Sequence, residues 1–320
     1  MTSTAVRPGR SASGREPRAQ SARRKRRWWR NWQLYSLLVL PVAYFVIFRY
    51  LPMAGNVIAF REYLPGGSIF GEYWVGFQNF QEVLSDPDFW NAFKNTVVLG
   101  CLALIIGFPI PIVLALLLNE LRSRGFKRFV QTTTYLPHFL SVVIVAGMIL
   151  QMTTLTGAIN NILTHLGIPA TDFMSQPAWF PVIYVGSEIW QTMGWGTILY
   201  LAALTQVDES LYEAARIDGA NRWQQTWHVT LPGIAPTIVT LLIINIGSFM
   251  SVGFEKILLI YNPTLYSTAD VISTYLYRNG IVSGSFSYAA AAGLFEAVIG
   301  LALVAAANFV SKRVVGASLW

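Results

Sequence analysis

The stretch EAARIDGANRWQQTWHVTLP, residues 213–232, is a dense run of polar residues between two strongly apolar segments. The apolar segment before it covers residues 181–203, and the one after it covers residues 231–252. Each is close to the ~20 residues that a helix needs to cross a bilayer. The polar run and the residues just before it therefore connect two membrane spans, and we define this coupling loop as residues 204–230.

The composition of the whole chain agrees with a membrane protein. The 320 residues are 54% hydrophobic and 12% charged, and the mean hydropathy is +0.46, outside the range of ordinary soluble domains. The single cysteine, Cys101, excludes an intrachain disulfide bond. Apolar length predicts an all-α integral membrane protein with one membrane domain, residues 34–320, and six transmembrane helices at 34–59, 95–118, 134–155, 181–203, 231–252 and 289–311.

Residues 1–33 form a basic tail that contains ten lysines and arginines and one acid, Glu16. The tail is rich in Ser, Ala, Pro and Gly and is predicted to be disordered and cytoplasmic. Anionic lipid headgroups are its expected partner rather than nucleic acid, and an uncleaved first span is favoured over a signal peptide. The positive-inside rule then puts both termini in the cytoplasm and the coupling loop on the cytoplasmic side, whereas residues 60–94 and 253–288 become outer loops expected to make contacts.

Local signals divide the coupling loop into two short helices. Asp208 or Ser210 can cap the first helix, and Gly219 can end it because glycine adopts the left-handed conformation without steric cost. Asn221 can cap the second helix, and Pro232 suits the first turn of the next span because the missing N–H costs little there.

The first predicted helix has one face with little bulk. Ala214 and Ala215 lie on this face, flanked by Glu213 and Asp218. Such a face can enter a groove on another protein and leave the acids at the rim, or it can pack against the bilayer or the chain's own bundle. The residues alone leave both interpretations open.

EAA, DGA and LP at this spacing resemble the EAA loop of inner-membrane permease subunits of binding-protein-dependent ABC importers. YLPHFLSVVIVAGMI at residues 135–149, and VGFEKILLIYNP with ADVISTYLYRNGI between residues 252 and 282, resemble the branch of that family that carries oligosaccharides and polysaccharide fragments. The resemblance covers roughly residues 30–318.

This resemblance implies a six-helix permease of the maltose-importer type in the bacterial inner or plasma membrane. It implies four kinds of partner: a second permease subunit, expected to be a different chain; two cytoplasmic ATPase subunits that use ATP and Mg²⁺; an extracytoplasmic solute-binding protein; and a carbohydrate substrate, expected to be an oligosaccharide. The chain itself would bind no cofactor and catalyse no reaction. The loop would dock in an ATPase cleft through Glu213, Ala214, Ala215, Asp218, Gly219, Ala220 and Pro232.

Polar residues inside the spans are candidates for a translocation path: Glu188, Gln191, Asn245, Ser248 and Glu296. Ionisable groups are costly in a membrane and usually face a polar interior. The alternative is that these side chains only make hydrogen bonds between helices. If Glu188 and Glu296 carried protons, the chain would be a proton-coupled secondary transporter and would need no ATPase.

Other functional classes have weaker support in the sequence. It contains no GxxxxGK[ST] phosphate-binding loop, so ATP is not expected to bind to this chain in that way. His138, His165 and His228 lack metal-ligand spacing, so no metal site is predicted. The histidines and acids also lie on different spans and loops, which ranks an intramembrane enzyme low.

Overall fold

The structure is a computed structural model that describes residues 32–68 and 70–314. In this part of the chain the sole sheet is the short antiparallel pairing of β1 (Arg61–Glu62) with β2 (Tyr73–Trp74), so the predicted all-α class is confirmed. The α-helices, numbered in chain order, are α1 (Trp32–Phe45), α2 (Leu51–Met53), α3 (Gln78–Ser85), α4 (Pro87–Leu102), α5 (Pro109–Glu120), α6 (Arg124–Tyr135), α7 (Val142–Thr153), α8 (Ala158–His165), α9 (Phe180–Leu204), α10 (Glu209–Ile217), α11 (Arg222–Gln225), α12 (Leu231–Gly247), α13 (Phe254–Ile260), α14 (Tyr266–Ala269), α15 (Ile272–Leu276) and α16 (Phe286–Val314).

Short helical segments of other types join or extend these helices. The π-helical segments are Val46–Tyr50, Ala103–Gly107, Thr226–Thr230 and Tyr277–Val282. The 3₁₀ segments are Ala54–Phe60, Leu136–Phe139, Phe173–Ser175, Pro177–Trp179 and Pro263–Leu265.

Five helical stretches of the described chain are long and apolar enough to cross a membrane: Tyr35–Phe60, Pro87–Glu120, Val142–His165, Arg222–Gly247 and Phe286–Arg313. The remaining predicted span, residues 181–203, is α9, which has 25 residues but carries polar side chains such as Glu188 and Gln191 and is less apolar. At ~1.5 Å per residue, α9 still exceeds the ~30 Å hydrocarbon thickness. With α9, the described part of the chain therefore has six helical stretches that are long enough to span a membrane.

The chain divides into two compact units, residues 1–56 and 57–320. In the first unit, the described part is the helix that begins at Trp32, and its large apolar side chains are mostly exposed. The ring of Tyr44 packs against Phe45 and Phe48, with centroid distances of 5.9 and 5.2 Å. The predicted disordered tail lies almost wholly outside the described residues, and Trp32, near its end, is already helical.

Helix α9 packs against several helices of the second unit through small residues. Gly194 lies against the backbone of Thr134 in α6, and Gly196 lies against Pro111 in α5. Small residues let membrane helices approach closely, which gains dispersion contacts that lipid cannot supply. The close packing of α9 fixes the position of the polar side chains that it carries.

The predicted third span, residues 134–155, is interrupted in the structure. The chain passes from α6 through the 3₁₀ segment Leu136–Phe139 and turns at Leu140, and α7 begins only after Ser141, whose hydroxyl accepts a hydrogen bond from the Val143 N–H. Pro137 lacks the N–H that a continuous α-helix would need there. The serine cap and the proline together explain the break that apolar length could not predict.

Part of the expected outer loop 253–288 is buried between helices, and the contacts expected of this loop stay a prediction. Ile272 and Thr274 are 0% exposed. The Asp270 carboxylate accepts two hydrogen bonds from Arg278, at 3.1 and 2.7 Å, and the Asn95 amide of α4 donates to the Asp270 carbonyl at 3.0 Å. Asp270 is thus paired, whereas the buried hydroxyl of Ser273 has no hydrogen-bond partner among the described residues. Residues 253–285, here called the buried connector, form part of the bundle.

A cluster of one acid and two phenols joins the start of α4 to the buried connector. Tyr275 and Tyr288 both donate hydrogen bonds to the Asp86 carboxylate, and the Tyr288 bond is 2.8 Å long. Burial raises the pKa of Asp86, but the hydrogen bonds from Tyr275, from the Asp88 backbone and from Tyr288 outweigh it, so the pKa lies below its ordinary value of 3.8. The cluster therefore stabilises the fold above pH ~4, and this contribution is lost as the pH falls through the lowered pKa.

Replacing Tyr275 with phenylalanine is expected to lower the free energy of unfolding by about 1–2 kcal/mol, because the half-buried Asp86 carboxylate loses one of its donors. Thermal unfolding of the purified protein measures this change. Tyr73→Phe is the control, since the Tyr73 side chain is 66% exposed, and it should change stability by less than about 0.5 kcal/mol. Equal effects of the two substitutions would show that the Tyr275 hydroxyl contributes nothing.

Candidate functional site

The first helix of the coupling loop has defined caps at both ends. The Asp208 carboxylate accepts a hydrogen bond of 2.9 Å from the Ser210 N–H, so Asp208 is the N-cap rather than Ser210. At the other end Gly219 has φ of +79°, and the Ala220 N–H donates to the Ala215 carbonyl at 2.9 Å. This pattern is a Schellman motif, which requires a residue that tolerates positive φ. The predicted first helix of the loop is present as Glu209–Ile217, and it ends at the predicted glycine stop.

This helix, α10, presents most of its surface to the outside. It contains no buried residue, and Ile217 and Leu211 are 88% and 51% exposed. Glu213 and Asp218 are exposed beside Ala214, and Ala215 is half-buried. A small-residue face with acids and an exposed isoleucine nearby has the shape and chemistry of a docking surface.

The second helix of the coupling loop differs from its prediction. Asn221 caps it as expected, in a capping box with Gln224, but α11 continues through the π-helical segment Thr226–Thr230 into α12 without a break. Pro232 lies inside this continuous helix, where the π-helical turn accommodates the missing N–H. The fifth span therefore begins about ten residues earlier than its apolar pattern indicates.

Three side-chain contacts connect the coupling loop to the spans. The Tyr212 hydroxyl donates to Thr230 Oγ1 at 3.0 Å, and Arg222 forms an ion pair of 2.9 Å with Glu120 at the end of α5. The Gln225 amide donates to the carbonyl of the half-buried Ala220 at 2.8 Å. A force on α10 can thus pass to α5 and α12.

A groove of about 410 Å³ runs along one face of α9. It is bounded by α4, α5, the π-helical segment between them, α12 and the start of the buried connector. Two aromatic side chains, Trp195 and His138, stack within it at a centroid distance of 4.5 Å. The polar and aromatic side chains that line the groove are Phe108, His138, Tyr184, Glu188, Thr192, Trp195, Tyr200, Asn245, Ser248, Phe249 and Ser251.

Three of the five predicted path residues line this groove, namely Glu188, Asn245 and Ser248. Gln191 does not; it is buried and its amide donates to the Leu140 carbonyl at 3.2 Å, as a helix-packing residue would. Glu296 lies on α16, half-buried and away from the groove lining. The groove is therefore lined by Glu188 but not by Glu296, although the proton-transport hypothesis uses both glutamates.

Glu188 has a partner that the sequence did not reveal. Its Oε2 atom lies 2.6 Å from Nζ of Lys256 in α13. Lys256 is 3% exposed, whereas the Glu188 side chain is 35% exposed. The two residues are 68 positions apart in the sequence, and Lys256 lies in the predicted outer loop. No local signal therefore indicates that they are in contact.

Close packing fixes the Glu188 end of the groove. Gly253, with φ of +26°, precedes α13, and a Cβ added there would overlap the hydroxyl of Tyr184, which is 2% exposed. Glycine is required at this position because both the backbone angle and the contact exclude a side chain. The helix that carries Lys256 thus starts from a rigid contact with α9.

The described residues contain no group of three or more His, Cys, Asp or Glu side chains placed to hold a metal ion. The prediction that the chain has no metal site stays a prediction.

Comparisons with known proteins identify a family and several relatives of this chain. The family described as "Binding-protein-dependent transport system inner membrane component" matches residues 107–316. Protein LplB of Bacillus subtilis (strain 168) is 45% identical over 281 residues, which cover 88% of each chain. The polygalacturonan/rhamnogalacturonan transport system permease protein YteP of the same organism is 46% identical, again over 88% of each chain.

A solved structure is also similar. A chain of a bacterial ABC transporter involved in the import of the acidic polysaccharide alginate superposes with a TM-score of 0.85 and 44% identity, over 92% of this chain and 99% of that one. The same transporter in complex with an alginate pentasaccharide-bound periplasmic protein gives a TM-score of 0.86 and 43% identity over the same shares of the two chains. Since these matches span nearly the whole described chain, the likeness includes both the coupling loop and the groove.

Proposed function

This chain belongs to the family of binding-protein-dependent transport system inner membrane components, and on that premise we propose that it is a permease subunit of an ATP-driven ABC importer of oligosaccharides. The observation that carries the proposal is the coupling loop: an exposed, doubly capped helix tied to two of the helices that line a polar and aromatic groove. The loop supplies a site for an external force, and the groove supplies a path that such a force could open.

The groove chemistry supports a carbohydrate as the substrate. Aromatic rings such as Trp195 and Tyr200 offer flat apolar faces to sugar rings, and Glu188, Asn245 and Ser248 offer hydrogen-bonding atoms to hydroxyl groups. The similar proteins also support a carbohydrate substrate, since one is named for polygalacturonan and rhamnogalacturonan and another is involved in the import of alginate.

The proposed mechanism is alternating access with partner subunits. A second permease subunit faces the open groove, a solute-binding protein delivers the oligosaccharide at one end, and two ATPase subunits bind the coupling loops at the other. Closure of the ATPases around ATP and Mg²⁺ moves α10, and the contacts of Tyr212 and Arg222 pass this movement to α12 and α5. In this mechanism the chain provides the translocation path and transmits the movement of the ATPase subunits to the spans. It catalyses no covalent step.

The proposed location is the bacterial cell membrane, with both termini and the coupling loop in the cytoplasm. The distribution of lysine and arginine supports this orientation through the positive-inside rule. Arg216 and Arg222 lie in the coupling loop, and Lys312 and Arg313 end the last span.

Replacing Gly219 with glutamate tests the coupling loop. A residue with a Cβ is strained at φ of +79°, so the end of α10 should be displaced while the spans stay folded. We expect the assembled complex to lose at least about 80% of the ATPase stimulation by sugar-loaded binding protein, which corresponds to about 1 kcal/mol of coupling.

Gly167→Glu is a matched control for this experiment. Gly167 also has positive φ, +81°, follows the short helix α8, and has open space around it, but it lies outside the coupling loop. This variant should keep the ATPase subunits bound and coupled. If Gly219→Glu couples as well as Gly167→Glu, the loop is only a packing element and the proposed role is wrong.

A further inference from the structure

The charge of the groove lining depends on one ion pair. Glu188 is the sole carboxylate among the described residues that line the groove, and neither lysine nor arginine is among them. Lys256 lies behind Glu188, with its ammonium 2.6 Å from the carboxylate and its side chain 3% exposed. The groove therefore presents the acceptor oxygens of a carboxylate without its net negative charge.

The position of Lys256 is costly to maintain. A buried ammonium loses its hydration, and an apolar residue of similar volume often gives equal or greater stability. Its neighbours on α13, Ile257 and Ile260, are 0% and 1% exposed, so the surroundings would suit such a residue. A packing role alone thus does not explain a lysine at this position, whereas neutralising Glu188 does.

We propose that Lys256 is a specificity-determining residue that allows the groove to pass acidic oligosaccharides built from uronic acids. The inference rests on the proposed function, and it adds the substrate class. A uronate carries one carboxylate per sugar ring, and an unpaired Glu188 would repel it at the short distances inside the groove. Paired with Lys256, Glu188 can still accept hydrogen bonds from sugar hydroxyls, and the repulsion is cancelled.

The test compares two trisaccharides that differ in charge, a galacturonic acid trisaccharide and its fully methyl-esterified form. Uptake is measured with the complete transporter reconstituted in vesicles, and uptake of the acid is divided by uptake of the ester. Lys256→Met keeps the length of the side chain and removes its charge. We expect this ratio to fall about tenfold relative to wild type, since an unpaired carboxylate then faces the path.

Two further variants separate charge from packing. Glu188→Gln/Lys256→Met removes both charges and should return the ratio to within about twofold of wild type. Thr192→Glu places a new unpaired carboxylate one helical turn along the groove and leaves the ion pair intact, so it should lower the ratio about tenfold even if Lys256→Met does not fold. Thr192→Gln has the same size without charge and should not lower it.

The outcomes are distinct. Equal losses for acid and ester in a folded Lys256→Met transporter, no recovery in a folded double variant, or equal ratios for Thr192→Glu and Thr192→Gln would each overturn the inference while leaving the permease function standing. A wild-type transporter that takes up only the ester would also overturn it. If wild type takes up neither trisaccharide nor any neutral oligosaccharide, the proposed function itself fails.

Discussion

Glu188→Gln is expected to destabilise the protein by about 3–5 kcal/mol, because it leaves the Lys256 ammonium buried without an opposite charge. The Lys256 side chain is 3% exposed, so water cannot replace the lost carboxylate. The ammonium can be hydrated only if α13 moves away from α9. This movement costs free energy that the wild-type ion pair does not require.

The reverse change, Lys256→Met, should cost less, about 1–2 kcal/mol. It leaves Glu188 unpaired, but the Glu188 side chain is 35% exposed to the groove and can be hydrated there. Methionine also fills the space of the lysine stem among apolar neighbours. The two halves of one ion pair are therefore expected to have unequal effects, and the difference in their exposure is the cause.

Thermal unfolding and the yield of folded protein after size-exclusion chromatography measure this asymmetry. The double variant Glu188→Gln/Lys256→Met should recover most of the loss caused by Glu188→Gln, because no charge is then left unpaired. Equal destabilisation by the two single changes would contradict the account of burial. A double variant as unstable as Glu188→Gln would show that the glutamate stabilises the fold by something other than the ion pair.

The coupling loop could be predicted because its signals are local. Asp208, Gly219 and Asn221 each act on backbone groups within a few residues, so capping preferences and backbone angles identify them from the sequence alone. The six spans could be predicted for a similar reason, since the apolar length that a bilayer requires is a property of a continuous stretch. The errors at span ends, such as the early start of α4 at Pro87, occur where a cap rather than hydropathy sets the boundary.

The candidate path could be predicted only in part, because it depends on contacts between distant residues. Glu188, Asn245 and Ser248 line the groove, yet Gln191, on the same helix as Glu188, points to the Leu140 carbonyl instead. Polarity inside a span indicates that a side chain needs a partner, but it does not say whether the partner is a helix or a substrate. The contact of Lys256 was missed for the same reason, because its partner lies on the distant helix α9.

The second large effect is expected at the crossing of α9 and α6, where a Cβ added to Gly194 would overlap the carbonyl group of Thr134. The obstacle is backbone within a helix, so neither rotamer change nor local adjustment of a side chain can relieve it. Gly194→Ala should therefore force the two helices apart and cost about 3 kcal/mol or more, at the upper end for overpacked sites. The displacement would also move Trp195, the next residue, away from its stack on His138 in the groove.

Gly186→Ala is the matched control on the same helix, because a Cβ added to Gly186 meets no atom within 4 Å. It should leave stability unchanged or raise it by up to about 1 kcal/mol, since alanine loses less backbone entropy than glycine when a helix forms. Thermal unfolding of the two variants beside wild type decides the matter. If Gly194→Ala unfolds at the same temperature as Gly186→Ala, the helices have room to separate without cost. The position of every polar residue on α9 would then be less tightly fixed than the close contact implies, including the carboxylate that faces Lys256.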